Sequence, residues 1–320
     1  MQLNIISGKE QSPLFDGIHR NLSASYSDPR VPCTSIKFSN QNIKFRIDEC
    51  IRGNDLYIFQ PLYPNLDERL IELFIMIDSA KHASVGRITV IVPYFPYVRS
   101  DKKDDSRISI SARLMADLIQ TAGADRVMTM HLHSPQVQGF FRIPVDHLYP
   151  GRYICEILRQ GEVSEDHVVV APDMGATKMA SYYAEKLNSS LAIINKKRID
   201  DTENPHIQCV IGDVRGKNCI LVDDETLSGK SLAKAAEKLL EEGAKHVDAF
   251  VVHGVFSEDA AKVLNDSPIT QIYTTNTITR NEFPLPDRLH VIDVSMLFSQ
   301  AVECTHTNKS MKELFQRTDI

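Results

Sequence analysis

The chain has 320 residues, with 36 Lys and Arg against 42 Asp and Glu and a formal net charge of -6. That length supports two domains, each with its own core, and the mildly acidic balance excludes bulk nucleic-acid or membrane-surface binding. A phosphorylated ligand therefore has to be held by local cations.

The six cysteines, at 33, 50, 155, 209, 219 and 304, show no paired short spacing. This argues against a zinc site or disulfide framework and for a reducing cytoplasm. Residues 1–8 carry no basic, apolar targeting segment, and no apolar run reaches membrane-spanning length.

Short β-branched runs alternate with helical periods. Leu56–Gln60 and Ile88–Val92 read as strands, with apolar residues at helical spacing over Leu66–Ala83 between them. This is a βαβ unit and implies a parallel sheet. A helix is expected over Ser111–Gln120 with Gly123 as its terminator, then a strand over Arg126–His131. Turn residues at Pro150-Gly151 separate this half from a second. There, strands are expected at His167–Ala171, Leu191–Ile194, Asn218–Val222 and Val247–Val252, and helices at Ala176–Leu187 and Ser228–Glu242. The fold expected is α/β, two tandem domains over 1–149 and 150–320, each with a mainly parallel sheet flanked by helices.

The chemistry concentrates in four stretches. Cys219-Ile220-Leu221-Val222-Asp223-Asp224-Glu225-Thr226-Leu227-Ser228-Gly229-Lys230-Ser231 reads as a buried strand, two carboxylates and a turn opening a helix. Helix-start N–H groups and a Lys suit an anion there, and the Asp pair suits hydroxyls or a metal. The turn is not a Walker A loop, because Asp224 stands where that pattern needs its first glycine. An ordinary strand-to-helix turn capped by Ser228 is the alternative. The polar stretch Lys196–Ile207 reads as a mobile loop with three cations at its base, either a solvated charge run or a lid over a polyphosphate.

Pro93–Arg107 follows a strand and supplies aromatics and cations where open α/β sheets bind ligands, suited to stacking on a base and pairing with phosphates. In His131-Leu132-His133, strand alternation puts both imidazoles on one side, where they could share a metal or a phosphate.

These stretches, with Phe38-Ser39-Asn40-Gln41, Leu73–Ala80, Leu132–Phe141, Pro172-Asp173, Lys196-Lys197-Arg198 and Val222–Asp224, occur in an order that resembles the ribose-phosphate pyrophosphokinases over nearly the whole chain. The resemblance implies two phosphoribosyltransferase-type domains. It also implies a reaction in which the C1 hydroxyl of ribose 5-phosphate attacks the β-phosphorus of Mg-ATP, giving phosphoribosyl pyrophosphate and AMP, with Mg2+ as cofactor. Carried over by motif, Phe38, Asn40, Arg99, Asp101 and His133 are ATP-side residues, and His133 and Asp173 are associated with magnesium. Lys196 and Arg198 are the catalytic lid cations. Asp223 and Asp224 hold the ribose hydroxyls, and Thr226, Ser228, Gly229, Lys230 and Ser231 form the sugar-phosphate loop. Ser106 and Arg107 match part of a regulatory anion site, and a homo-oligomer built from dimers, as large as a hexamer, is implied.

The loop departs from the family pattern. Leu227 stands for an Asp, Ser228 for a Thr and Lys230 for a Gly, a local change of about two charge units toward positive. His131 stands where Asp is common, Asn42 where Glu is usual, and Met174-Gly175-Ala176 where a Gly-Gly pair is common. Three readings follow: a ribose 5-phosphate pyrophosphokinase, the same reaction on a 5-extended ribose such as ADP-ribose, which would feed NAD synthesis, and a non-catalytic regulatory relative.

Overall fold

The computed structural model describes the chain apart from residues 9–11, 152–153, 156–166, 198–205, 279–282 and 316–320, and apart from the side chains of 196, 197, 206–208, 313 and 315. It separates into two units, one of 1–149, 276–279 and 293–315, the other chiefly of 150–275 and 280–292. Among the described residues no helix is long and apolar enough to cross a membrane.

The first unit opens with β1 (Leu3–Ser7) and α1 (Pro13–Ser23), then the hairpin β2 (Cys33–Lys37) and β3 (Ile43–Ile47). It continues with β4 (Asp55–Phe59), α2 (Leu66–His82), β5 (Arg87–Ile91), α3 (Ser111–Ala122), β6 (Arg126–Met130), a 3-10 helix (Pro135–Phe140) and β7 (Val145–Leu148). The main sheet runs β1-β4-β5-β6-β7 and is wholly parallel. Its strands are largely buried, as expected of a parallel sheet covered on both faces, and every residue of β4 is buried, Asp55 included. Helix α2 turns Leu70, Leu73, Met76, Ile77 and Ala80 into the core at helical spacing. Acids at Asp67 and Glu68 and bases at Lys81 and His82 complement its dipole. Gly123 ends α3 as expected, at φ 117°, donating its N–H to the Gln120 and Ile119 carbonyls.

The second unit contains β8 (His167–Ala171), α4 (Thr177–Leu187), β9 (Ser190–Lys197), β10 (His206–Ile211), β11 (Asn218–Thr226) and α5 (Lys230–Glu241). It then has β12 (His246–Gly254), α6 (Ala260–Asn265), β13 (Ile272–Thr275) and β14 (Leu289–Ile292). The sheet order is β10-β9-β8-β11-β12-β13-β14, parallel except for β10. The expected βα rhythm holds, with two corrections. The stretch expected as a loop over 196–207 is strand at both ends, since Lys196 and Lys197 close β9 and pair antiparallel with Ile207 and His206. Only the first two residues of β10 fall within that polar stretch, and its remainder, Gln208-Cys209-Val210-Ile211, lies beyond it. Likewise β11 continues four residues past Val222, because Asp223, Glu225 and Thr226 pair in register with Val251, His253 and Gly254 of β12.

The expectation that 150–320 forms one domain is also corrected, because helix α7 (Ser295–His306), followed by α8 (Lys312–Phe315), groups with the first unit. α7 packs on α1, and its C-terminal end is fixed by a buried carboxylate. Asp55 accepts two hydrogen bonds from Arg87, at 2.7 and 2.5 Å, and lies 2.7 Å from His306 Nδ1. Arg87 also donates to the Thr305 carbonyl at 3.1 Å. Burial alone would raise the Asp55 pKa, but the Arg87 and His306 hydrogen bonds outweigh it and hold the carboxyl below its ordinary range.

Candidate active site

The second unit brings three carboxylates to the C-terminal ends of two neighbouring strands. β8 and β11 pair with Val170 opposite Leu221, so the turn leaving β8 emerges beside the acidic end of β11. Asp173 lies in that turn, and its Oδ1 accepts from the backbone N–H groups of Gly175 at 2.9 Å and Ala176 at 3.2 Å. This Asx-type turn leads into α4 and fixes the carboxylate. On β11 the Asp224 N–H donates to Asp223 Oδ1 at 2.9 Å.

Burial first, and then the negative charges of Asp224 and Asp173, push the Asp223 carboxyl well above the usual carboxylate range. A carboxyl held up this way binds a proton, a cation or hydroxyl donors more readily than a solvated one. The buried Glu225, opposite His253, is a further acid beside the pair that the sequence did not single out. Its only signal was adjacency to Asp224.

The turn between β11 and α5 is tied down through its backbone. The Thr226 carbonyl accepts from Val255 at 3.0 Å and Phe256 at 3.3 Å, and the Leu227 carbonyl accepts from the Ser257 N–H at 2.9 Å. Leu227 is 43% exposed, Ser228 is half-buried and Lys230 is exposed. Ser228 does not cap the helix. The N-cap is Gly229, at φ 73° and with no side-chain cap bond. A Cβ on Gly229 would stand 2.5 Å from Leu264 Cγ, so both conformation and packing require glycine there.

The ATP-side candidates belong to the first unit. Phe38 sits 47% exposed at the tip of the β2–β3 hairpin, which rules it out as a core residue. Beside it Gln41 is at φ 67° and Asn40 Oδ1 accepts from the Asn42 N–H at 3.1 Å. In the segment after β5, Phe95 is buried edge-on against Phe141 at 5.7 Å, so that aromatic serves the core and is not offered to a base. Tyr97 and Arg99 are exposed and Asp101 is half-buried. Ser106 and Arg107 are exposed, with Arg107 at φ 65°.

The expectation that His131 and His133 share one side of a strand fails. β6 ends at Met130, and His131 takes φ 43°, which breaks the alternation. His131 is half-buried, Leu132 buried and His133 exposed. Lys196 lies in β9, with a side chain outside the described residues, as is the whole of Arg198. The structure thus brings together Asp173, Asp223, Asp224 and the 226–230 turn within one unit, while the ATP-side candidates lie in the other.

Two family models match the chain: the N-terminal domain of ribose phosphate pyrophosphokinase over residues 3–123, and the phosphoribosyl synthetase-associated domain over 196–316. A ribose-phosphate pyrophosphokinase of Deinococcus radiodurans is 42% identical over 318 residues, covering 98% of each chain. Ribose-phosphate pyrophosphokinase A of Dictyostelium discoideum is 40% identical, covering 99% of each. The crystal structure of phosphoribosylpyrophosphate synthetase from Mycobacterium smegmatis superimposes with a TM-score of 0.87 at 36% identity, covering 96% of this chain and 100% of that one.

Proposed function

The chain belongs to the ribose-phosphate pyrophosphokinase family and is an ATP-dependent pyrophosphokinase of that type; from that premise we propose that it transfers pyrophosphate from ATP to the C1 hydroxyl of ribose 5-phosphate. The hydroxyl oxygen bonds to the β-phosphorus, the bond from that phosphorus to the α-phosphate bridge breaks, the hydroxyl proton is released and AMP departs. The observation that carries this reading is the Asp223–Asp224 pair at the end of β11, with the glycine-led turn beside it. Asp223 and Asp224 accept from the ribose hydroxyls. Backbone N–H groups of residues 228–231, with the Thr226 and Ser228 hydroxyls and the Lys230 ammonium, take the 5-phosphate.

Phe38, Asn40, Arg99, Asp101 and His133 serve the nucleotide. Lys196 and Arg198 meet the charge that develops on the transferred group. Ser106 and Arg107 serve a regulatory anion.

Mg2+ fits the donor set. An Asp223 carboxyl held high by burial first and then by the charges of Asp224 and Asp173 is relieved by a hard dication. Among the described residues no three His, Cys, Asp or Glu groups are placed to hold a metal, and Mg2+ does not require them, since one or two carboxylates with water and substrate phosphates suffice. His133 and Asp173 are the protein groups assigned to it. When bound, the ion would supply positive charge to offset that of the phosphate oxygens. A cytoplasmic homo-oligomer is part of the same reading. Exposed Ile71 on α2, with Leu114 and Leu118 on α3, supplies an apolar surface for a second copy.

A second acceptor, ADP-ribose, is favoured by one observation: Leu227 and Lys230 both face solvent on the acceptor turn. A cation and an apolar side chain there suit a diphosphate that continues outward. The deciding experiment measures AMP release from Mg-ATP with ribose 5-phosphate and with ADP-ribose side by side. Turnover with ribose 5-phosphate supports the first reading, and turnover confined to ADP-ribose supports the second. No AMP from either would overturn both. The double variant Leu227→Asp, Lys230→Gly should shift preference toward ribose 5-phosphate.

A further inference from the structure

The backbone leaves the sheet abruptly after β6. At φ 43° His131 turns the chain, its own N–H donating to the Leu148 carbonyl at 3.0 Å, and the next amide, that of Leu132, is carried out of the ladder. A buried amide without a partner is costly, and Leu132 is buried. Its partner is a side chain from the neighbouring strand. His147 of β7, opposite Thr129 in register and 2% exposed, accepts the Leu132 N–H on Nε2 at 2.7 Å.

With Nε2 accepting, the ring proton of a neutral His147 sits on Nδ1, 2.9 Å from the Tyr149 hydroxyl. The Gln138 side-chain nitrogen lies 3.1 Å from the same Nδ1 and donates to the Pro135 carbonyl at 3.0 Å. Tyr149 packs its ring on both histidines, at 4.2 Å between centroids from His147 and at 5.9 Å edge-on from His131. The Leu132 amide at the centre of the His131-Leu132-His133 turn is therefore held by one buried imidazole, and Tyr149 packs on both that ring and His131.

We infer that His147 is a positioning residue for the ATP side of the reaction: its Nε2 fixes the Leu132 amide and thereby the direction of the exposed His133 imidazole. The inference rests on the role of His133 under the proposed function. Neither nitrogen of His147 needs to touch substrate. The residue acts through the turn, and a phenyl ring would fill its space without accepting the amide.

The test uses the full chain and three variants. His147→Phe keeps a ring and loses the acceptor, His147→Gln restores an acceptor oxygen, and Tyr149→Phe removes only the hydroxyl at Nδ1. Amide exchange is followed over residues 130–134 without ligand, and kcat and the KM for each substrate are measured with Mg-ATP. In His147→Phe the Leu132 amide should exchange at least tenfold faster and kcat should fall about tenfold with the acceptor KM held within twofold. His147→Gln should recover most of both.

An unchanged Leu132 exchange rate in His147→Phe would overturn the inference. So would equal losses in the Phe and Gln variants that merely follow melting temperature. If His147→Phe does not fold, Tyr149→Phe decides, with about threefold faster exchange expected and no change refuting. Absence of turnover in the unaltered protein would defeat the proposed function alone, because the exchange result is read without catalysis.

Discussion

Replacing Gly229 with Ala tests how the acceptor turn is built. Two costs arise from the structure. An L-residue at φ 73° costs about 1–2 kcal/mol relative to glycine. The new methyl would also lie 2.5 Å from Leu264 Cγ and 2.7 Å from Cδ2, inside contact distance, and Leu264 is fully buried on α6. Overpacking of this kind adds about 1–3 kcal/mol. The sum is about 2–5 kcal/mol, or roughly 4–20 °C in melting temperature for a unit of this size.

Gly216 is the control. It has φ 72°, and a Cβ there meets nothing within 4 Å, so Gly216→Ala should show the conformational cost alone. Thermal and urea unfolding of both variants separates the two terms, and the acceptor KM of Gly229→Ala should rise with the displaced turn. Equal destabilisation of the two variants would refute the argument that Leu264 sets the position of the loop.

Asp223→Asn should raise melting temperature at pH 7 to 8 while abolishing turnover. A carboxyl raised in the folded state adds stability below its unfolded pKa and loses it as pH rises through the folded value. The gain should therefore vanish below about pH 4, the ordinary carboxylate range, and a gain independent of pH would contradict the charge account. Asp55→Ala leaves Arg87 and His306 without their shared buried partner and should cost about 3–5 kcal/mol. Because the Asp55 pKa is lowered, that contribution is present at neutral pH and is lost as pH falls through the folded value. Denaturant titrations at pH 7 and pH 3 check it, the difference between wild type and variant shrinking at the lower pH. Lys196→Ala should lower kcat far more than ATP affinity, because a cation that meets developing charge acts on the transition state; the reverse pattern, seen in steady-state kinetics beside nucleotide titration, would assign Lys196 to ground-state binding.

Local signals carried much of the architecture. His167–Ala171 is a strand over the span expected, because a short apolar run between polar turns leaves few alternatives. Gly123 ended its helix for a reason visible in one residue. The acidic pair was legible as chemistry, but not as strand, since its pairing with Val251 and His253 is set by a partner far along the chain. The Ser228 cap was a fair inference from residue type that Gly229 displaced by taking a left-handed backbone. Reading His131 and His133 as alternating neighbours failed for the same kind of reason, a single positive φ.

Phe95 shows the limit of composition. An aromatic after a strand can face a ligand or the core, and Phe141, forty-six residues later, decides. The bond from His147 to Leu132 has no signal in the sequence at all, because it depends on the register between β6 and β7.

The return of α7 to the first unit has a consequence for how the chain is made. The first unit holds the earliest residues, yet the partners of Tyr57, Arg87 and Asp55 come from Val302, Thr305 and His306. A ribosome has delivered the strands and helices of the second unit before those residues emerge. The second unit can close while synthesis continues, whereas the first must wait with the α7-facing side of β4 uncovered. Its exposed apolar strands are then the surface that a chaperone would meet.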